Sequence, residues 1–186
     1  MKKYILILSL LIVSLFSMEG QTDARFSTVP VVNGKVVFEQ FILADQGQTA
    51  DQKYALLQKW GKNTFTGNPL LSGIRFDDKA RTVTVSSKAE LKLPANKAGV
   101  SEKIMMNYRF DASVTHAGCM LVVRDITYQT EQTGGSSFFP KVYTAEQMIT
   151  DQAVSAASEE SELRNNTRKE TITFLNNLYA QLAVLF

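Results

Sequence analysis

Three consecutive runs, Thr82 to Leu93, Lys103 to Thr115 and Cys119 to Tyr128, alternate apolar and polar side chains. Successive side chains of a strand point to opposite faces, so each run predicts a strand with one buried side. In the first, Val83, Val85, Ser87, Ala89, Leu91 and Leu93 share one face, and Thr82, Thr84, Ser86, Lys88, Glu90 and Lys92 share the other. In the second, Ile104, Met106, Tyr108, Phe110, Ala112 and Val114 point inward. Lys103, Met105, Asn107, Arg109, Asp111 and Thr115 point outward. The third is mixed, because Arg124 interrupts one face and Asp125 the other. Cys119, Leu121 and Val123 are assigned to the core, with a β-bulge expected to move the register later in the strand. One dry and one wet face predict an antiparallel sheet covered on a single side.

The flanking segments supply the cover. Gln21 to Thr28 is polar and reads as a loose lead-in. Val29–Val32 and Val36–Leu43 flank Asn33-Gly34, a strong hairpin signal, with Pro30 suited to an edge. Val36, Phe38, Gln40 and Ile42 fall on one face of the second arm. Thr49 and Gln52 have capping-box spacing and start a helix from Ala50 to about Thr64. Its stripe is Tyr54, Leu57, Trp60 and Gly61, with Lys53, Gln58, Lys59 and Lys62 mostly away from it. Gly67-Asn68-Pro69 stops that helix. Leu70 to Phe76 predicts a short strand, and Asp77-Asp78-Lys79 a tight turn. Pro94 to Val100 is a connection, and His116-Ala117-Gly118 a turn. Thr130 to Ser137, with Gly134-Gly135, reads as a flexible loop, followed by Phe138-Phe139-Pro140 docking on the body. Thr144 and Gln147 repeat the capping-box spacing before a helix over Ala145 to Ala156. The last helix runs from about Glu159 to Leu182. Leu163, Thr167, Phe174, Leu178 and Leu182 form its apolar line, broadened by Ile172, Leu175 and Tyr179. A one-sided sheet with two main amphipathic helices predicts a two-layer α+β sandwich.

The first twenty residues have a different character. Lys2 and Lys3 precede an apolar run, Tyr4 to Phe16, interrupted only by Ser9 and Ser14. Ser17-Met18-Glu19-Gly20 follows. These are the three regions of a secretory signal peptide, and the run falls short of the roughly 20 apolar residues of a spanning helix. The expected organisation is residues 1–20 as signal peptide and 21–186 as one α+β domain. The mature chain would be exported to the periplasm, the outer membrane or the medium, without an integral membrane segment.

Composition narrows the chemistry. A formal net charge of +2 over 186 residues gives no concentrated basic surface, so no nucleic-acid partner is expected. One His and one Cys cannot make a three- or four-ligand Cys/His zinc site in a monomer, nor an internal disulfide. His116 and Cys119 are the natural catalytic pair, but a nucleophile needs a base held by a third group. They read as a turn histidine beside a small buried hydrophobe, with interchain pairing of Cys119 left open. Asp77-Asp78 reads as a solvated turn, lacking a calcium-loop pattern. Glu159, Glu160 and Glu162 read as helix-start charge. Gly134-Gly135 lacks the Lys-Ser/Thr of a phosphate loop. Asn165-Asn166-Thr167 fits a glycan acceptor pattern but is expected inside a helix. Lys35, Lys88, Lys92, Lys103 and Arg109, interspersed with Glu90 and Asp111, read as a solvated sheet face. Trp60 reads as core, and Phe138, Phe139 and Tyr143 as the better contact candidates. No catalytic, cofactor-binding or metal-binding residue is assigned, and no cofactor is expected.

The order of elements resembles a known family. Val29-Pro30, the Asn33-Gly34 hairpin into Val36-Val37-Phe38, and the helix bearing Tyr54 and Trp60 before Phe65 carry the resemblance. The strand meander and the closing helix around Phe174 to Leu178 complete it, from Val29 to Leu182. The chain is similar to exported Bacteroidetes proteins classed as a domain of unknown function with a TATA-binding-protein-like fold. That resemblance implies a curved antiparallel sheet with both helices on one face. It brings no catalytic residues, and the fold name does not imply DNA binding. The chain departs from a DNA-binding use of that fold in being exported and in lacking a basic sheet face.

The leading functional expectation is a non-enzymatic binding or structural protein of the cell envelope, with a protein or small ligand as partner. One alternative is an envelope hydrolase with a dispersed polar site, which a pocket joining Asp, Glu or Ser from separate strands would favour. Another is an inhibitor-like protein acting through the 133–143 loop, which an exposed aromatic loop near Phe138 would favour.

Overall fold

The computed structural model describes residues 26–95, 99, 101–130, 140–156 and 160–186. The signal-peptide reading of residues 1–20 and the Gly134-Gly135 and Phe138-Phe139 readings lie outside these residues. β1 (Val31–Val32) and β2 (Lys35–Val36) form a small hairpin, and β3 (Phe38–Leu43) follows. α1 (Ala50–Phe65) leads to β4 (Ser72–Asp77), β5 (Thr82–Ala95), β6 (Ser101–Val114) and β7 (Gly118–Thr130). β8 (Val142–Thr144), α2 (Ala145–Met148), α3 (Asp151–Ser155) and α4 (Ser161–Ala183) complete the chain. All pairings are antiparallel, in the order β3-β7-β6-β5-β4, with β8 also on β7.

The alternation in β5 and β6 is realised as predicted. Val83, Val85, Leu91, Leu93, Ile104, Met106, Tyr108, Phe110, Ala112 and Val114 are all buried. In β7 the anticipated bulge is at Asp125, whose φ is 56°. Arg109 faces Arg124 and Asn107 faces Thr127, so two steps on β6 are matched by three on β7. The extra residue moves the inward set from Cys119, Leu121 and Val123 to Ile126 and Tyr128, all buried. The bulge also divides the outer edge of β7. β3 pairs with Gly118–Val123 before it, and β8 pairs from Thr127 onward after it.

Both main helices pack on the inward face. Trp60 of α1 lies 6.1 Å from the Phe110 ring, and Phe174 of α4 lies 5.1 Å from the Tyr108 ring. Tyr108 and Phe110 are two apart on β6, so they share one face. The Thr49/Gln52 capping box forms in both directions and sets the start of α1. Gly61 permits close approach to the sheet: a Cβ there would meet Ile74 Cδ1 at 2.8 Å and Val83 Cγ1 at 3.5 Å. Leu175, Leu178 and Leu182 bury the last turns of α4. No helix among the described residues is long and apolar enough to cross a membrane.

Four expectations require correction. Lys53, assigned away from the α1 stripe, is completely buried and donates from Nζ to the His116 carbonyl at 2.8 Å. Its long side chain follows the core edge to a turn carbonyl, an arrangement helical periodicity cannot reveal. The expected helix over 145–156 is two helices, because Thr150 caps α3 through its side chain while Ile149 turns into the core. The Val36–Leu43 strand is interrupted at Val37, whose N–H bonds the Pro30 carbonyl across the hairpin. The lead-in is anchored at Phe26, which is buried against Phe38. The Asn176 side chain brackets the Phe26 backbone with two hydrogen bonds, at 2.7 and 3.0 Å.

Candidate functional site on the helix-free sheet face

The outward positions form cross-strand rows, because antiparallel pairing places each residue opposite one partner. Arg75, Thr84, Asp111, Val122 and Glu39 make one row. Gly73, Ser86, Arg109 and Arg124 make the next. Lys88, Asn107, Thr127 and Thr144 make a third, with Leu71 bonded through its carbonyl to the Lys88 N–H at 3.0 Å. The rows mix cations with Glu39 and Asp111 and include polar and apolar groups, as expected for a face that is not uniformly basic.

Asp111 is the best-bonded charge on this face. Its carboxylate accepts from Thr84 Oγ1 at 2.6 Å and from Arg124 Nη2 and Nε at 2.6 and 3.2 Å. Burial by itself would raise the carboxyl pKa, but the Thr84 and Arg124 hydrogen bonds and the Arg124 and Arg109 charges outweigh it. The net effect holds Asp111 below the ordinary carboxylate range. Arg109 is the weaker partner: its Nη2 stands 3.8 Å from Asp111 Oδ1, and its buried Nε has no hydrogen-bond partner among the described residues.

An open groove of about 490 Å³ crosses this face over rows two and three. Its floor contains Ser86 and Lys88 of β5 and Asn107 and Arg109 of β6. Pro69, Leu70 and Leu71 border it on the β4 side, and Asp125 of the β7 bulge borders the other. Gly73 has no side chain to close the β4 end, and a Cβ there would meet nothing within 4 Å. Leu70 is 87% exposed, an unusual exposure for a large apolar side chain. The volume falls in the range of roughly 300–1,000 Å³ typical of ligand sites. The groove's donors suit binding. Of its serines, Ser72 and Ser87 bond each other at 2.6 Å, hydroxyl to hydroxyl.

The other candidates fall elsewhere. His116 is exposed in its turn, whereas Cys119 is fully buried and free. Burial pushes the Cys119 thiol up to about 12, unsuited to a thiolate nucleophile at neutral pH. Asp78 ties the β4–β5 turn to α1, accepting from the Tyr54 hydroxyl at 3.0 Å and Gln58 Nε2 at 2.8 Å. Among the described residues no three His, Cys, Asp or Glu side chains group as metal ligands. Trp60 is partly buried and packs on Phe65 and Phe110. Tyr143, half-buried on β8, donates to Glu160 at 3.1 Å. Glu160 also pairs with Arg164 at 3.2 Å. Asn165 to Thr167 lies within α4, as expected. Sequence reasoning marked Lys88, Asn107 and Arg109 as outward but did not join them to Leu70, Leu71 and Asp125. Only the strand register brings those residues to one groove.

No protein-family model matches the chain, and no curated protein does. Among solved structures, it is similar to a TBP-like protein from Parabacteroides distasonis, at 22% identity and a TM-score of 0.67. That match covers 84% of this chain and 96% of the other. It is also similar to a DUF4468 family protein from Bacteroides ovatus, at 22% identity and a TM-score of 0.69, covering 88% of this chain and 93% of the other. Both neighbours are from Bacteroidetes, and one belongs to a domain-of-unknown-function family, in agreement with the sequence resemblance. A curved antiparallel sheet carrying its helices on one side, shared over most of three chains, gives this protein a TATA-binding-protein-like α+β fold.

Proposed function

We propose that this chain is an exported, non-enzymatic binding protein of the cell envelope, with residues 1–20 as a cleaved leader and 21–186 as one binding domain. The helix-free sheet face is its binding face. The observation that carries this reading is the open groove of about 490 Å³, floored by hydrogen-bond donors from adjacent strands and bordered by exposed Leu70. The leader pattern of Lys2, Lys3 and the Tyr4–Phe16 run supports export.

Two measurements test the two parts. Mass spectrometry of the chain recovered from an envelope fraction should show a new N-terminus near Gln21, and a full-length cytoplasmic chain would overturn export. A photoreactive residue placed at Ser86 should cross-link to a discrete species, whereas one at Lys59, exposed on α1, should not. Equal cross-linking from both positions would overturn the assignment of the binding face.

A further inference from the structure

Ser86, Lys88, Asn107 and Arg109 form a two-by-two square on the outward face. Ser86 stands opposite Arg109, and Lys88 stands opposite Asn107. Lys88 and Arg109 are therefore diagonal neighbours, with backbones about 7–8 Å apart. A hydroxyl and an amide complete the square. Nearby Arg124 is committed to Asp111 at 2.6 Å. Arg109 makes only the 3.8 Å approach to Asp111 among the described residues, and because its Nε is buried, its terminal nitrogens are the donors it can turn to the groove. Lys88 makes no ion pair among the described residues. The groove floor thus offers two cations whose hydrogen bonds are largely unspent.

The two ends of the groove differ in kind. On the β4 side stand exposed Leu70 and Leu71, 87% and 43% exposed. On the β7 side stands the Asp125 carboxylate, held outward by the bulge, 64% exposed and 3.9 Å from Arg124 Nη1, a looser pair than Arg124 makes with Asp111. The floor attracts an anion, the β4 end favours an apolar substituent, and Asp125 repels a second anionic group. Neighbouring strands lie about 4.8 Å apart, so a short aliphatic chain rooted over Lys88 and Arg109 reaches Leu70.

We infer that the groove binds a monocarboxylate with an apolar substituent, its carboxylate on Lys88 and Arg109 and its apolar part against Leu70 and Leu71. This rests on the reading of the helix-free face as the binding face. The same chemistry is offered by a free aliphatic acid and by the C-terminus of an apolar peptide.

The test is NMR titration of the full chain with octanoate, octanamide, acetate and octanedioate, and with N-acetyl-dileucine and its C-terminal amide. Octanoate, N-acetyl-dileucine or both should perturb the Ser86–Lys88 and Asn107–Arg109 amides and bind at least tenfold tighter than the matching amide. The tighter of the two acids identifies the source of the carboxylate. Acetate and octanedioate should each bind at least tenfold more weakly than octanoate if the aliphatic acid is the ligand. R109Q and K88Q, with unchanged melting temperatures, should each weaken the acid at least fivefold. Leu70→Ser should weaken the acid but not acetate. Equal binding of acid and amide, perturbations mapping away from the groove, or no response to R109Q and K88Q would overturn the inference. Absence of binding by both acids would also overturn it, while the Ser86 cross-linking result would still decide whether this face binds anything.

Discussion

Lys53 and His116 are joined by a 2.8 Å hydrogen bond from a fully buried ammonium to a turn carbonyl. The bond fastens α1 to the β6–β7 turn, yet it leaves a charged side chain in the protein interior opposite a neutral acceptor. Burying an ion without an opposite charge is costly, and an apolar side chain of similar volume is often as stable or more so. Lys53→Met should therefore retain or raise the urea midpoint, whereas Lys53→Ala should fall about 2–5 kcal/mol below the Met variant through the cavity it opens. A Met variant less stable than the Ala variant would contradict this account.

Gly118 begins β7 opposite Leu43. A Cβ at this position would lie 1.9 Å from the Ile42 backbone oxygen. A strand carbonyl cannot move aside without breaking the β3 pairing. Gly118→Ala should cost about 3 kcal/mol or more, in the range of severe backbone and packing defects. Gly61→Ala meets instead the flexible end of Ile74, at 2.8 Å, and gains about 1 kcal/mol of helix propensity. It should stay within about 1 kcal/mol of the parent chain. Paired denaturation curves check both values.

Tyr128 and Thr171 join β7 to α4 through a buried hydroxyl pair at 2.8 Å. The Thr171 hydroxyl already donates to the Thr167 carbonyl, so the Tyr128 hydroxyl is the donor between them. Burial also pushes the Tyr128 phenol well above its ordinary pKa, so it remains protonated through the working pH range. Thr171→Val should cost about 1–3 kcal/mol, because it strands a buried phenol. Adding Tyr128→Phe should recover part of that loss, so that the double variant loses less than the sum of the two single variants. Strict additivity would show that the pair is not coupled.

Asp111 and Glu146 predict the acid limb of stability. Both carboxyls are partly desolvated, which opposes ionisation, but hydrogen bonds hold both below the ordinary range. For Glu146 the leading opposing influence is the Val36 N–H, donating at 2.8 Å. Because the folded values are depressed, the unfolded chain binds more protons in acid. The stabilisation is present above the unfolded values, about pH 4, and is lost as pH falls through the folded ones. Asp111→Asn and Glu146→Gln should each narrow the stability difference between pH 7 and pH 3 in urea titrations. An unchanged acid slope in both variants would refute the assignment.

The sequence alone determined the inward faces of β5 and β6, the Asn33-Gly34 turn and both capping boxes. Each is a local pattern with a single physical reading: period-two alternation, residues tolerant of positive φ, and a side chain reciprocating with a backbone N–H three residues away. It also pointed to a bulge in β7, because Arg124 and Asp125 spoil both possible faces of a regular strand. Tertiary structure alone decided what depends on partners far along the chain. Lys53 reached His116 because α1 ends its first turn against that turn. β8 found an edge because the Asp125 bulge ended the β3 pairing. The groove joins residues from 69 to 125 through cross-strand register, and hydrophobic periodicity assigns each strand a face but carries no information about which residue stands opposite which.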